Sequence, residues 1–248
     1  MDFEALARIR LSNGAGDGDP RHGLCVMEMV SWISGDDRTT DQPSCASPHL
    51  TTFAIALNDS AITSEVRDSL KPLAFLLVDT YDPGRERMRS TYLMRESAHR
   101  LLAPLLCEVG LDLAAHRIRR ARTRHGIRHA ARSAEAALSN VSRSSTWANA
   151  RAAASRLAQA ASGDHGKAVL ALRDSAYCAL TASEDTNAKL AMWRDAHATL
   201  CAAIKMGKHS KGDAPQQLDQ SKAAVPAALT SSVAPFAKTS DREPHCAR

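Results

Sequence analysis

The chain has 248 residues, with 32 Lys and Arg against 27 Asp and Glu, for a formal charge of +5. That length suits one large domain or two small ones. The longest apolar run, Leu73 to Val78, falls far short of the ~20 residues of a membrane helix. The opening Met1 to Leu11 alternates charged and apolar residues without a signal-peptide core. These features exclude a membrane partner and predict a cytoplasmic protein, in which the scattered Cys25, Cys45, Cys107, Cys178, Cys201 and Cys246 are thiols or ligands and not a disulfide framework.

In chain order, residues 12–19 (SNGAGDGD) read as a flexible loop. Asp19 followed by Pro20 predicts a helix cap with Pro at the first helical position, and that helix runs to about Ser34 and stops at Gly35. Ser47-Pro48 repeats the signal and opens a second helix through Phe53, Ala56 and Leu57, ending near Asn58-Asp59. Thr63 caps a third helix reaching about Thr80, with Pro72 as a kink or break. After the Asp82-Pro83-Gly84 turn, a long helix passes through Tyr92, Leu93, Leu101 and Leu105, is bent at Pro104 and ends at Gly110.

The second half differs in composition. All 10 Pro and nine of the 12 Gly lie outside 111–206, and the chain holds 45 Ala. Ala loses least on entering a helix, so helices are expected near 112–125, 127–141, 146–161, 165–181 and 184–205. No segment alternates as a strand would. The expectation is an all-α irregular helical bundle with an Ala-rich C-terminal helical half. Its divisions are an N-terminal helical domain at 1–110, an Ala/Arg-rich bundle at 111–206 and a disordered tail at 207–248.

Within the first domain, HGLCVME (22–28), SG (34–35), TDQPSCASP (40–48) and LND (57–59) form a pattern. It resembles a group of bacterial proteins, many actinobacterial, that share H-G-x-C-x-M-E, then D-x-P-x-C-x-x-P, then N-D. The matching positions include His22, Gly23, Cys25, Met27, Glu28, Gly35, Asp41, Pro43, Cys45, Pro48, Asn58 and Asp59. The likeness extends over about residues 20–115. Members frequently carry a His after the motif Asp, where this chain has Gln42. The group has no established activity, so the likeness implies a domain and not a reaction.

The same residues make a first candidate site. On the expected helix, His22, Cys25 and Glu28 are three apart and share a face. Cys45 and His49 straddle the next cap. If the two helices pair across 35–46, His22, Cys25, Cys45 and His49 supply the nitrogen and sulfur ligands of a tetrahedral zinc site. Glu28 and Asp41 stand beside them as oxygen ligands or supports, and Asn58 and Asp59 complete the polar pocket. A thiol nucleophile is the catalytic version. There Cys45, nearer a helix tip than Cys25, is activated by His22 or His49. The plainer reading is two buried thiols, with Asp41 and Asn58 capping loops.

A second candidate site lies between Asp112 and Glu135, an interval without an acid. It holds Arg117, Arg119, Arg120, Arg122, Arg124, Arg128 and Arg132 with His116, His125 and His129. On one continuous helix, Arg117, Arg120, Arg124, Arg128 and Arg132 fall within about 120° of arc, at ~100° per residue. Such a stripe tracks phosphates. Gly126 is expected to split it, and it lacks interleaved aromatics for base stacking. The alternative is a solvated face paired with acids such as Glu108, Asp112 or Glu184.

Arg85, Glu86, Arg87 and Arg89 read as a solvated first turn. Arg95, Glu96, His99 and Arg100 read as surface pairs, and His197 beside Trp193 and Leu200 as a core histidine. No phosphate loop, H-E-x-x-H or G-x-S-x-G occurs. Three functions therefore compete. The first is a helical binding or regulatory protein that acts on a protein or other anionic partner through its polar pocket and bundle. The second is a nucleic-acid binder using 117–132. The third is a metal- or thiol-dependent enzyme centred on Cys25 and Cys45.

Overall fold

In the computed structural model of the chain, the described residues are 8–36, 38–139, 144–163 and 165–206. The tail expected at 207–248 lies outside them. Among the described residues the regular structure is all helical, with one isolated parallel bridge between Leu11 and Leu24. No helix among them is long and apolar enough to cross a membrane.

The first helix, α1 (Val26–Ser34), starts six residues later than Asp19-Pro20 predicts. The intervening chain is used differently. Leu24 N donates to Arg10 O at 3.2 Å and Ser12 N to Leu24 O at 2.9 Å, so the segment lies extended against 10–12. Gly23, at φ 98, makes the bend that permits this. α1 ends on Gly35 in the left-handed region, as expected.

α2 (Pro48–Asp59) begins at the Ser47 cap, whose oxygen accepts from Leu50 N. Every residue from His49 to Asn58 is buried, the mark of a helix enclosed on all sides. The third helix is two pieces, α3 (Ser64–Asp68) and α4 (Lys71–Leu77), with Pro72 in the first turn of α4, where its missing N–H costs nothing. The long helix is α5 (Pro83–Glu96), a π-helical turn (Ser97–Leu102) and α6 (Ala103–Glu108). The π turn immediately precedes Pro104, which cannot donate to the carbonyl four residues back. The wider register absorbs that defect.

Gly110, at φ 76, closes α6. Then come α7 (Asp112–Arg120), α8 (Arg124–Ser139), α9 (Ser145–Ala160), α10 (His165–Ala182) and α11 (Thr186–Lys205). The break in the basic segment falls at Ala121–Thr123 and not at Gly126, which is inside α8. Thr123 takes the cap role, receiving Gly126 N on its hydroxyl at 3.1 Å and Ile127 N on its carbonyl at 2.9 Å.

α9 and α10 pack closely through buried Ala150, Ala153, Ala154, Ala176 and Ala179. α10 and α11 both lie on α2. Trp193 of α11 donates its indole N–H to Leu57 O at 3.0 Å. One continuous apolar core therefore runs from Ile9 to Ile204.

Candidate functional site

The late start of α1 changes the first candidate site. His22 and Cys25 do not share a helix face, because Cys25 is the N-cap and His22 precedes the helix. Cys25 and Glu28 form a capping box. Glu28 N donates to Cys25 Sγ at 3.3 Å, and Cys25 N donates to Glu28 Oε2 at 2.7 Å. The other carboxylate oxygen, Oε1, accepts from Gly16 N at 2.9 Å. Asn58, at the end of α2, reaches the same place. Its Oδ1 accepts from Val26 N at 3.3 Å, and its Nδ2 donates to Ser12 O at 2.9 Å. Asp59 Oδ1 accepts from Gly14 N at 3.0 Å and from Asn58 Nδ2 at 3.0 Å.

Cys25, Glu28, Asn58 and Asp59 are thus brought together as a clamp on residues 12–16. Their polar atoms are directed at backbone groups and at one another. Burial pushes the Cys25 thiol up to about 12, so it stays protonated at neutral pH, unsuited to act as a thiolate.

The other residues of that site lie elsewhere. His22 is in solvent, with Nδ1 2.7 Å from Asp17 Oδ2. Asp41 is half-buried and joins neither group. Cys45 is half-buried, and its carbonyl accepts from Tyr81 N at 3.0 Å. His49 is buried, with Nδ1 2.9 Å from Glu86 Oε2. Among the described residues, no group of three or more His, Cys, Asp or Glu is placed to hold a metal ion.

His49 belongs to a second polar cluster that the sequence reading missed. Ser47 Oγ donates to Glu86 Oε2 at 2.8 Å. Arg89 Nη1 donates to Glu86 Oε1 at 3.0 Å and also to Thr80 O. Arg89 is 2% exposed. Glu86 and Arg89 are therefore not a solvated first turn: they tie α5 to the start of α2. Burial raises the Glu86 pKa, and the hydrogen bonds from His49, Ser47 and Arg89 outweigh it, leaving the pKa lowered. One signal was available, because Arg89 lies four residues before Leu93 on the buried stripe of α5.

The arginine segment has the opposite character. Arg117, Arg120 and Arg132 are exposed, and Arg124 and Arg128 are half-buried. The break at Ala121–Thr123 divides the stripe between two adjoining helices, α7 and α8. Arg117 Nη1 reaches Ser133 Oγ at 3.4 Å, which places it beside Arg132. Arg124 Nη2 donates to Ala160 O at 3.1 Å. None of the five makes an ion pair with a carboxylate among the described residues. By contrast Arg21, Arg85, Arg89, Arg95, Arg100, Arg156 and Arg173 each do.

At the start of α8, Arg124, His125 and Arg128 line a cavity of about 500 Å3 together with Arg87 of α5 and the Ala161–Gly163 turn. No acid lines it. Arg87 is exposed and lies in none of the ion pairs above. Sequence reasoning placed Arg87 in a separate surface turn, because nothing in a linear pattern shows that α5 lies against α8.

Compared with known proteins, the chain matches no protein-family model, no curated protein and no solved structure.

Proposed function

We propose that this is a helical binding protein whose arginine face on α7 and α8 holds a nucleic acid through its phosphates. The observation that carries the reading is that Arg117, Arg120, Arg124, Arg128 and Arg132 have no carboxylate partner among the described residues, while Arg21, Arg85, Arg89, Arg95, Arg100, Arg156 and Arg173 each have one. Five like charges on two adjoining helices, without carboxylate partners among the described residues, raise the local potential. A partner that brings a row of anions relieves it. From Arg124 to Arg132, α8 presents a positive charge at every turn over about 12 Å, at ~1.5 Å per residue, a spacing suited to successive phosphates.

The N-terminal polar cluster acts on this reading as a structural clamp, since its donors and acceptors are turned inward onto residues 12–16. The test is an anisotropy titration with a labelled oligonucleotide over a series of salt concentrations. If all five arginines contact phosphates, the log–log salt slope is about −3.5 for a single strand. Each Arg→Gln change among the five flattens it by about 0.7. Absence of oligonucleotide binding at low salt defeats the reading.

A further inference from the structure

Arg87 lines two cavities. On one side is the basic cavity with Arg124, His125 and Arg128. On the other is a second cavity of about 510 Å3, bounded by Met88, Thr91, Tyr92 and Arg95 of α5 and by Met206. The two adjoin at Arg87 and differ in chemistry. The first offers guanidinium groups that no carboxylate in the described chain neutralises. The second offers an aromatic ring, thioether and aliphatic surface. Arg95 lies over the Tyr92 ring at 5.5 Å, and its Nη2 is held by Glu96 Oε1 at 3.1 Å. The Arg95 side chain is 41% exposed. A guanidinium over a phenol ring, held by a neighbouring carboxylate, offers a surface on which a base stacks. Either cavity is within the ~300–1,000 Å3 usual for small-ligand pockets.

We infer that the two cavities form one subsite for a single-stranded nucleotide unit, with its phosphate at Arg87, Arg124 and Arg128 and its base on the Tyr92–Arg95 platform. The inference rests on the proposed function and narrows it. A duplex keeps its bases stacked inside and has none to offer this platform, so the strand bound here is single. The sequence stripe lacked aromatics, and the fold supplies one from α5, 32 residues before Arg124. The carboxylate of Glu96 does not oppose a phosphate at Arg87, because Arg95 and Arg100 engage its two oxygens at 3.1 and 2.8 Å.

The experiment compares a labelled single strand of thymidines, an abasic strand of equal length and a duplex, each titrated with the full chain at low salt. The thymidine strand is expected to bind about tenfold tighter than the abasic one, since a stacked base contributes ~1–3 kcal/mol. Tyr92→Leu is expected to abolish that preference while leaving abasic-strand binding unchanged. Arg87→Gln, at an exposed helix position, is expected to weaken both strands together. Thermal melts of both variants show whether the fold is intact, and Arg87→Gln stands as the second arm if Tyr92→Leu melts early. Equal affinity for thymidine and abasic strands, or tighter binding of the duplex, overturns the inference and leaves the arginine face standing. Failure of all three nucleic acids to bind overturns both.

Discussion

Cys25 and Glu28 close the first turn of α1 reciprocally, each accepting the other's backbone N–H, at 3.3 Å on sulfur and 2.7 Å on the carboxylate. The cysteine occupies a position where Ser or Thr is usual. Burial excludes water from the turn, so the loss of either side chain strands a backbone donor. Cys25→Ala is expected to lower stability by about 1–2 kcal/mol, and Cys25→Ser to lose much less. Glu28→Gln keeps one acceptor oxygen and is expected to cost less than Glu28→Ala, which also releases Gly16 N. Urea denaturation of the four variants ranks them.

Native thiol labelling gives an independent check. The Cys25 thiol is held in its protonated form, so at neutral pH an alkylating reagent should leave it unmodified until the chain unfolds. Peptide mapping after brief treatment, with and without denaturant, reads this directly. Rapid native labelling at Cys25 would refute the buried cap.

Breaking the buried network at α5 should be the most damaging single change. Arg89→Met leaves the Glu86 carboxylate without its guanidinium partner, in a site where that partner is 2% exposed. A loss of about 3–5 kcal/mol is expected. The double change Arg89→Met with Glu86→Gln should recover part of it, since a neutral amide tolerates the site better than an orphaned charge. Chemical denaturation of both variants and the parent measures the coupling.

Acid should lower the stability over two successive pH ranges. Burial lowers the His197 pKa below its ordinary 6.5. As pH falls under 6.5 the unfolded chain takes up that proton first, so His197's share of stability is full above 6.5 and is lost below it. The Glu86 pKa is lowered from 4.5. Its share is full above about 4.5 and is lost as pH falls through the lower folded value. The exposed His22–Asp17 pair raises the His22 pKa and works in the opposite sense, but solvent screening keeps it weak. The melting temperature measured against pH should therefore decline first below 6.5. His197→Gln should remove that first decline and keep the second.

Much of the fold was legible because caps and breakers are local. Ser47-Pro48, Gly35, Gly110 and the Ala-rich run each act within a few residues, and the helices they predict are present. Where local signals competed with tertiary contacts, the contacts won. Asp19-Pro20 looks like a helix start, yet the backbone of residues 22–24 pairs with 10–12 and postpones the helix to Val26. Gly126 looks like a break, yet Thr123 caps three residues earlier and α8 runs through it.

The motif residues Cys25, Glu28, Asn58 and Asp59 do meet, for a reason that spacing alone did not reveal: they share the task of holding one loop. Of the expected solvated turn, Arg87 is exposed, whereas Glu86 and Arg89 turn inward. Successive residues of a helix point in different directions, and only the packing of α5 on α2 and α8 distinguishes them.

The bond from Trp193 to Leu57 spans 136 positions of chain, and this has a consequence for synthesis. α2 leaves the ribosome long before α10 and α11 exist to cover it. Until then its Phe53, Ile55 and Leu57 have no lid, and the nascent chain exposes a sticky helix. Chaperone demand should therefore peak late in translation and fall only when the final helix emerges.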